Sequence, residues 1–345
     1  MPLTLIPQLF ASKRGPVEVS VRERPVRSAA VVVVALLAAQ LLSGCRKAEP
    51  VSGPQGVVVA VSLVPQAWLV RRIGGDRVHV EVMISGGSDP HTFQISDADV
   101  TRLARSRVFF ALGMPFEQSP ASRAVLKNGN ARVVDLREDL ARRGLIASGD
   151  RHEETHDHEE HADHDHAEHA EHEHDHAHDE PFHIWLSPRL LKAQAETVAG
   201  VLEEIDPAGG EVYRAGLQAV SSELDALDAE LRAKLAPLRG QTFFVYHPAL
   251  ECFAADYELN QVAIEKDGKE PTDRELSELQ QSAAKTAVKL ILTQPQISSR
   301  AAQAVAQTAQ LRIEQADPLA SDPVAELRRL ADLLVSAYRG GNGGE

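Results

Sequence analysis

The chain reads as an α/β protein of two lobes, each a mostly parallel sheet flanked by helices, joined by one long backbone helix. Three observations predict this. Short apolar or alternating runs recur between helical stretches on both sides of residue 209, and strands that alternate with helices form parallel sheets covered on both faces. One amphipathic stretch, about 209–236, is long for a globular helix and suits a bridge between lobes. An apolar fraction of 43% is ordinary for a globular chain, so a sizeable core is available. In such sheets ligands bind beyond the carboxyl ends of the strands, which puts the expected site in the interlobe cleft.

The first half begins with VVVAVS (57–62), a short apolar run that predicts a buried strand. Val64 to Ile73 predicts a helix, with Pro65 tolerated in its first turn. RVHVEVMI (77–84) alternates and predicts a strand. Ser96 is the expected N-cap of the helix that follows. RVFFAL (107–112) and ARVVDL (131–136) predict two more strands. FHIWL (182–186) is read as a further strand, followed by Ser187-Pro188 as N-cap and first helical residue. Helices are expected at about 188–205 and 209–236; in the second, Leu217, Val220, Leu224, Leu227, Leu231 and Leu235 recur at three- and four-residue steps. The second half predicts strands at TFFVYH (242–247), NQVAI (260–264), VKLILT (288–293) and LRIEQ (311–315), and helices at about 272–286, 298–309 and 322–338.

The N-terminus reads as an export signal. A basic leader precedes a fourteen-residue apolar run, Ala29 to Leu42, which is too short to span a bilayer comfortably and suits a signal h-region. The run ends Leu42-Ser43-Gly44-Cys45, which resembles a bacterial lipobox and makes Cys45 the expected lipidation site. The expected organisation is a signal peptide at 1–45, a tether at 46–56 and an N-terminal lobe at 57–208. A linking helix at 209–237 and a C-terminal lobe at 238–345 complete it. The other cysteine, Cys252, then has no partner within the chain.

Between the two patterns of the first half lies a tract that no core can use. Residues 152–180 hold eleven histidines (His152, His156, His158, His161, His164, His166, His169, His172, His174, His176 and His178) and thirteen acidic residues. With almost nothing apolar to bury, such a segment is expected to stay solvated and mobile. The tract carries thirteen of the fourteen net negative charges, so the rest of the chain is nearly neutral. Neither a nucleic-acid surface nor a general acidic shield follows. Imidazole with carboxylate is the ligand set of borderline divalent metals, zinc above all.

Outside the tract only four histidines remain: His79, His91, His183 and His247. His79 sits within an alternating strand and reads as a surface residue. The other three lie at predicted strand ends, as does Asp317 in EQADPLASD. Two of these four positions come from each half, an arrangement that closes a metal site across a cleft. Three histidines and one carboxylate suit tetrahedral zinc. Catalysis is not required: HExxH strings occur only within the solvated histidine tract, where no helix motif is expected, and no GxSxG or Walker-type motif is present.

DPHTFQISDAD, FHIWLSP, HPALECFAADYEL, KEPTDREL and ADPLASD, in that order, resemble the periplasmic metal-binding proteins of ABC importers, in the zinc-uptake (ZnuA-type) branch. The resemblance covers about residues 57–338. It implies a Zn(II) ion held between the lobes by residues matching His91, His183, His247 and Asp317, and an inner-membrane permease as partner. It implies capture of zinc outside the cytoplasm, at the periplasm or cell surface; the chain is expected to be a monomer anchored through Cys45, with the flexible histidine tract as a low-affinity collector or sensor. Manganese-type members generally present a carboxylate at the third ligand and zinc-type members a histidine; here it is His247. The alternatives on the same scaffold are a protein for manganese or another divalent metal, or a metal-dependent adhesin. Asp89 is expected to shape the His91 loop, and Glu270 to cap a helix or join the lobes rather than ligate.

Overall fold

A computed structural model describes residues 56–147, 183–266, 268–296 and 300–342. The export signal, Cys45, the tether up to residue 55 and the histidine tract lie outside the described residues.

The chain opens on β1 (Val57–Leu63), whose β-branched residues suit a strand buried on both faces. It passes directly into α1 (Val64–Gly74). Gln66 in the first turn locks the junction: its Oε1 accepts from Leu63 N at 2.9 Å, and its Nε2 donates to Phe110 O at 3.1 Å. The strands β2 (Val78–Ile84), β3 (Val108–Ala111) and β4 (Arg132–Asp135) complete a sheet in the order β2-β1-β3-β4, with every pair parallel. Helices α2 (Asp97–Ala104), α3 (Pro120–Asn128) and α4 (Leu136–Arg142) connect and flank these strands. Ser96 caps α2 as expected, within a reciprocal box with Asp99.

The second half repeats the plan. The strands β5 (Thr242–Val245), β6 (Asn260–Ala263), β7 (Leu290–Thr293) and β8 (Arg312–Gln315) form a parallel sheet in the order β6-β5-β7-β8. Each half thus places its second strand outermost, beside its first. Helices α7 (Glu251–Asp256), α8 (Asp273–Lys285), α9 (Arg300–Ala309) and α10 (Pro323–Asn342) cover this sheet.

Between the sheets run α5 (Pro188–Ile205) and the 26-residue α6 (Gly210–Leu235). Val220, Leu224, Leu227, Leu231 and Leu235 form its buried stripe, as their spacing predicts. Helix α6 packs against α1 and α5 on one side and α10 on the other. Gly216 allows the close approach to α1, since a Cβ there would lie 2.4 Å from the Ile73 carbonyl oxygen. Ion pairs join α6 to both halves (Arg72–Glu223 and Lys192–Asp225; Arg328–Glu230 and Lys234–Asp332). These are surface pairs worth about 0–1 kcal/mol each, so the leucine stripe holds the joint. Among the described residues no helix is long and apolar enough to cross a membrane.

One element differs from its expected form. Ile184–Leu186 is a turn of 3₁₀ helix, not a strand. All three side chains are buried, so the apolar run does what its composition requires. A short buried run has no periodicity that separates strand from helical turn. Here the carbonyls turn inward: Leu186 N donates to His183 O at 3.1 Å, and Gln194 Nε2 donates to Ile184 O at 3.2 Å.

Candidate metal centre

The loop after β2, Ser85 to His91, is polar and contains two glycines. Its end is set by Asp89, which accepts from His91 N at 2.9 Å and from Thr92 Oγ1 at 3.2 Å. This is an Asx-type turn, as expected for Asp89. His91 itself is exposed on one side.

His183 stands immediately before the 3₁₀ turn and is only 8% exposed. Its ring lies 5.3 Å from that of Trp185, whose Nε1 donates across to Pro318 O in the second half at 2.7 Å. Ser187 caps α5 through Leu190 N and also donates to Asp256 of α7; Arg189 Nε donates to the other Asp256 oxygen at 3.2 Å. The segment that carries His183 is thereby tied to the second half at both ends.

His247 lies two residues beyond β5 and is followed by Pro248. Its Nδ1 lies 2.6 Å from Oε1 of Glu265, a carboxylate 8% exposed. Its Nε2 lies 3.3 Å from Nε2 of His91.

Ring centroids of His183 and His247 are 5.2 Å apart, those of His91 and His247 4.9 Å, and those of His91 and His183 6.4 Å. One nitrogen from each of the three lies within 4.8 Å of the other two. Nitrogens at 2.0–2.1 Å from a tetrahedral zinc are separated by about 3.3 Å, which is the spacing of the His91–His247 pair. Nδ1 of His183 is buried with no hydrogen-bond partner among the described residues. A trio of imidazoles around a common point, one with an orphaned buried nitrogen, fits a borderline divalent cation.

Burial lowers the pKa of His183 well below the ordinary value, and the two neighbouring imidazoles push the same way. His91 is also lowered, first by loss of water on its inner side and then by His247; Asp89 and Glu265 oppose the shift. Both effects favour the neutral imidazole, the form that binds metal.

The surrounding wall is mixed. Pro90, Met114, Trp185, Pro318 and Leu319 make its apolar side, and Asp89, Gln294 and Gln296 its polar side. Met114 is placed by a built turn. Buried Glu117 accepts from Ser62 Oγ at 2.5 Å, Leu112 N at 3.0 Å and Gly113 N at 2.8 Å. Gly113 takes φ +76° there, a left-handed conformation that favours glycine.

Asp317 is not brought into the imidazole group. Its Oδ1 accepts from Gln296 Nε2 at 2.8 Å and from Leu319 N at 3.0 Å. It does line a small cavity together with His247 and Gln294. His79 lies apart, exposed, with Nε2 3.2 Å from Glu81. Glu270 is exposed. The helix cap in its segment is made instead by Thr272 and Glu275. Cys252 is buried, which pushes its thiol up to about 12 and leaves it unreactive at neutral pH.

Glu265 was not singled out from the sequence. The parallel ladder extends beyond β6: Ile264 N donates to Val245 O at 2.9 Å and Glu265 N to Tyr246 O at 3.0 Å. That register sets Glu265 beside His247 on adjacent strand ends. A carboxylate just past a predicted strand was the available signal.

The profile of the family described as zinc-uptake complex component A, periplasmic, matches residues 59–338. The chain belongs to that family. It is 25% identical over 293 residues to the zinc-binding lipoprotein AdcA of Streptococcus pneumoniae serotype 4, a match covering 84% of this chain and 55% of AdcA. The chain thus spans about half the length of that relative. It is 24% identical over 316 residues to the high-affinity zinc uptake system protein ZnuA of Yersinia pestis, covering 87% of this chain and 97% of that protein. Among solved structures, a ZnuA deletion mutant with zinc bound superposes with a TM-score of 0.68 at 30% identity, covering 82% of this chain and 98% of the other.

Proposed function

We propose that this chain is an extracytoplasmic solute-binding protein that captures Zn(II) and delivers it to an ABC-type permease. The observation that carries the reading is the convergence of one nitrogen each from His91, His183 and His247 within 4.8 Å. These residues come from both halves of the chain, and the donor set is all imidazole. Imidazole suits zinc, whereas manganese favours carboxylate and carbonyl oxygen. The zinc-binding names of its relatives support the same cargo. The role is one of binding and transport, not catalysis.

In this reading the three imidazoles supply three ligands and the fourth position is open to Asp317. Gln296 and Leu319 hold Oδ1 of Asp317, so Oδ2 is the oxygen that would be offered to the ion. The tract at 152–180 gathers zinc weakly, because a flexible ligand must lose about 1–2 kcal/mol of backbone entropy for each residue it orders. Export, with Cys45 lipidated and the folded part held at the membrane surface as a monomer, completes the proposal.

The test is zinc titration and elemental analysis of the full chain and of a form lacking residues 152–180. One tight zinc should remain after the deletion while the total number of ions falls. Replacement of His91 or His183 by Ala in the shortened form should abolish that tight binding or weaken it severely. Unchanged tight binding in both variants would overturn the assignment.

A further inference from the structure

We infer that Glu265 is a positioning residue for the cation site, acting through His247. The inference rests on the reading of the three imidazoles as zinc ligands. A carboxylate only accepts hydrogen bonds, so the 2.6 Å contact requires the proton of the His247 ring on Nδ1. That leaves the lone pair of Nε2 directed at His91 and the shared point between the histidines. The opposite tautomer would place a hydrogen where the cation must sit. Glu265 therefore fixes both which nitrogen is free and which way the ring faces.

Three further observations make this a built arrangement. The strand ladder continues past β6 to bring the two residues side by side. Glu265 is buried, although Lys266 follows it and pairs with Lys269 in an isolated antiparallel bridge. Among the described residues its side chain has no ion pair with either lysine; its hydrogen-bond partner is His247. Leaving a carboxylate buried beside a single imidazole costs free energy unless that contact is used. Carboxylate partners of this kind orient a ligating imidazole and raise its basicity, and their loss costs about 10–100-fold in metal affinity.

The experiment compares the full-length protein with Glu265→Ala and Glu265→Gln. Tautomers are read in the metal-free protein from two-bond proton–nitrogen NMR spectra, with the His247 signals assigned by their absence in His247→Ala. Zinc affinity is read against a competing chelator strong enough to strip weaker sites. The wild type should hold its proton on Nδ1. Glu265→Ala should show mixed tautomers and bind zinc about 10–100-fold more weakly. Glu265→Gln keeps an oxygen acceptor without the charge, so it should retain the Nδ1 proton and lose less affinity. Adding Glu265→Gln to His247→Ala should cost nothing further, a readout that remains open if Glu265→Ala fails to fold. An unchanged tautomer with affinity within twofold in Glu265→Ala, or a full additional loss in the double variant, would overturn the inference. A wild type that binds no zinc would instead overturn the proposed function, while the tautomer measurement would still judge Glu265.

Discussion

His91 and His247 face each other across the site, yet the fold holds them in different ways. His247 follows an interior strand at a distance of two residues, and its ring is pinned from behind by Glu265. His91 follows an edge strand at a distance of seven residues, and the hydrogen bonds to Asp89 secure its backbone rather than its ring. His183 resembles His247: it is buried and braced at both ends of its segment. Two of the proposed ligands are thus held by the scaffold, and the third is carried by a loop. Ordering such a loop costs about 1–2 kcal/mol per residue fixed. The net contribution of His91 to affinity should therefore be smaller than that of His247, although both would donate one nitrogen.

The largest expected effect tests the braced pair. His183→Ala or His247→Ala should weaken zinc binding by more than about 100-fold, beyond the 10–100-fold range of supporting residues. Isothermal titration with a competing chelator measures it. His91→Ala should cost less than either; an equal or greater loss would break the comparison.

Acid should next reveal the difference between buried and ordinary imidazoles. A histidine with the usual pKa of about 6.5 is only about 3% neutral at pH 5, an availability penalty of about 30-fold. Burial lowers the pKa of His183 and, less strongly, that of His91. A lowered value keeps a ring neutral further into acid, so proton competition at His183 and His91 sets in below pH 6.5 rather than at it. Zinc affinity measured from pH 8 to 5 should fall less steeply than three ordinary imidazoles would require, because His183 and His91 resist protonation. A fall already complete at pH 6 would contradict the burial of His183.

Asp89→Ala should have a more modest effect, about 5–10-fold in affinity, because it frees the His91 backbone and removes hydrogen bonds worth about 1 kcal/mol. The loss should appear in the association rate if the loop must reorder at each capture. The smallest effect on affinity is expected for Trp185→Phe. It leaves the Pro318 carbonyl without its donor and should lower unfolding free energy by about 1–3 kcal/mol, measured by denaturant titration. Zinc affinity should change little, since the ring that packs on His183 is retained.

The same contrast explains what could be read from the sequence. The strands, the long helix and the three histidines were legible, because each sits in a local pattern: a β-branched run, a leucine stripe, a polar loop or a strand terminus. The 3₁₀ turn at Ile184–Leu186 was not, because burial alone makes an apolar run, whichever backbone hydrogen bonds it uses. Glu265 was not, because its meaning depends on the register between β5 and β6, residues far apart in order of chain. Asp317 was legible as a strand-end carboxylate, but its bond to Gln296 depends on a neighbouring loop and left no local trace.

The closeness of Trp185 to His183 has an optical consequence. The chain has two tryptophans, and Trp68 lies in α1 under the Arg72 guanidinium. Trp185 is buried, with its ring 5.3 Å from that of His183. An ion that draws electron density from this imidazole alters the quenching of the adjacent indole. Replacing Trp68 by Phe would leave Trp185 as the one tryptophan, beside His183, and its emission would record filling and emptying in real time without a dye.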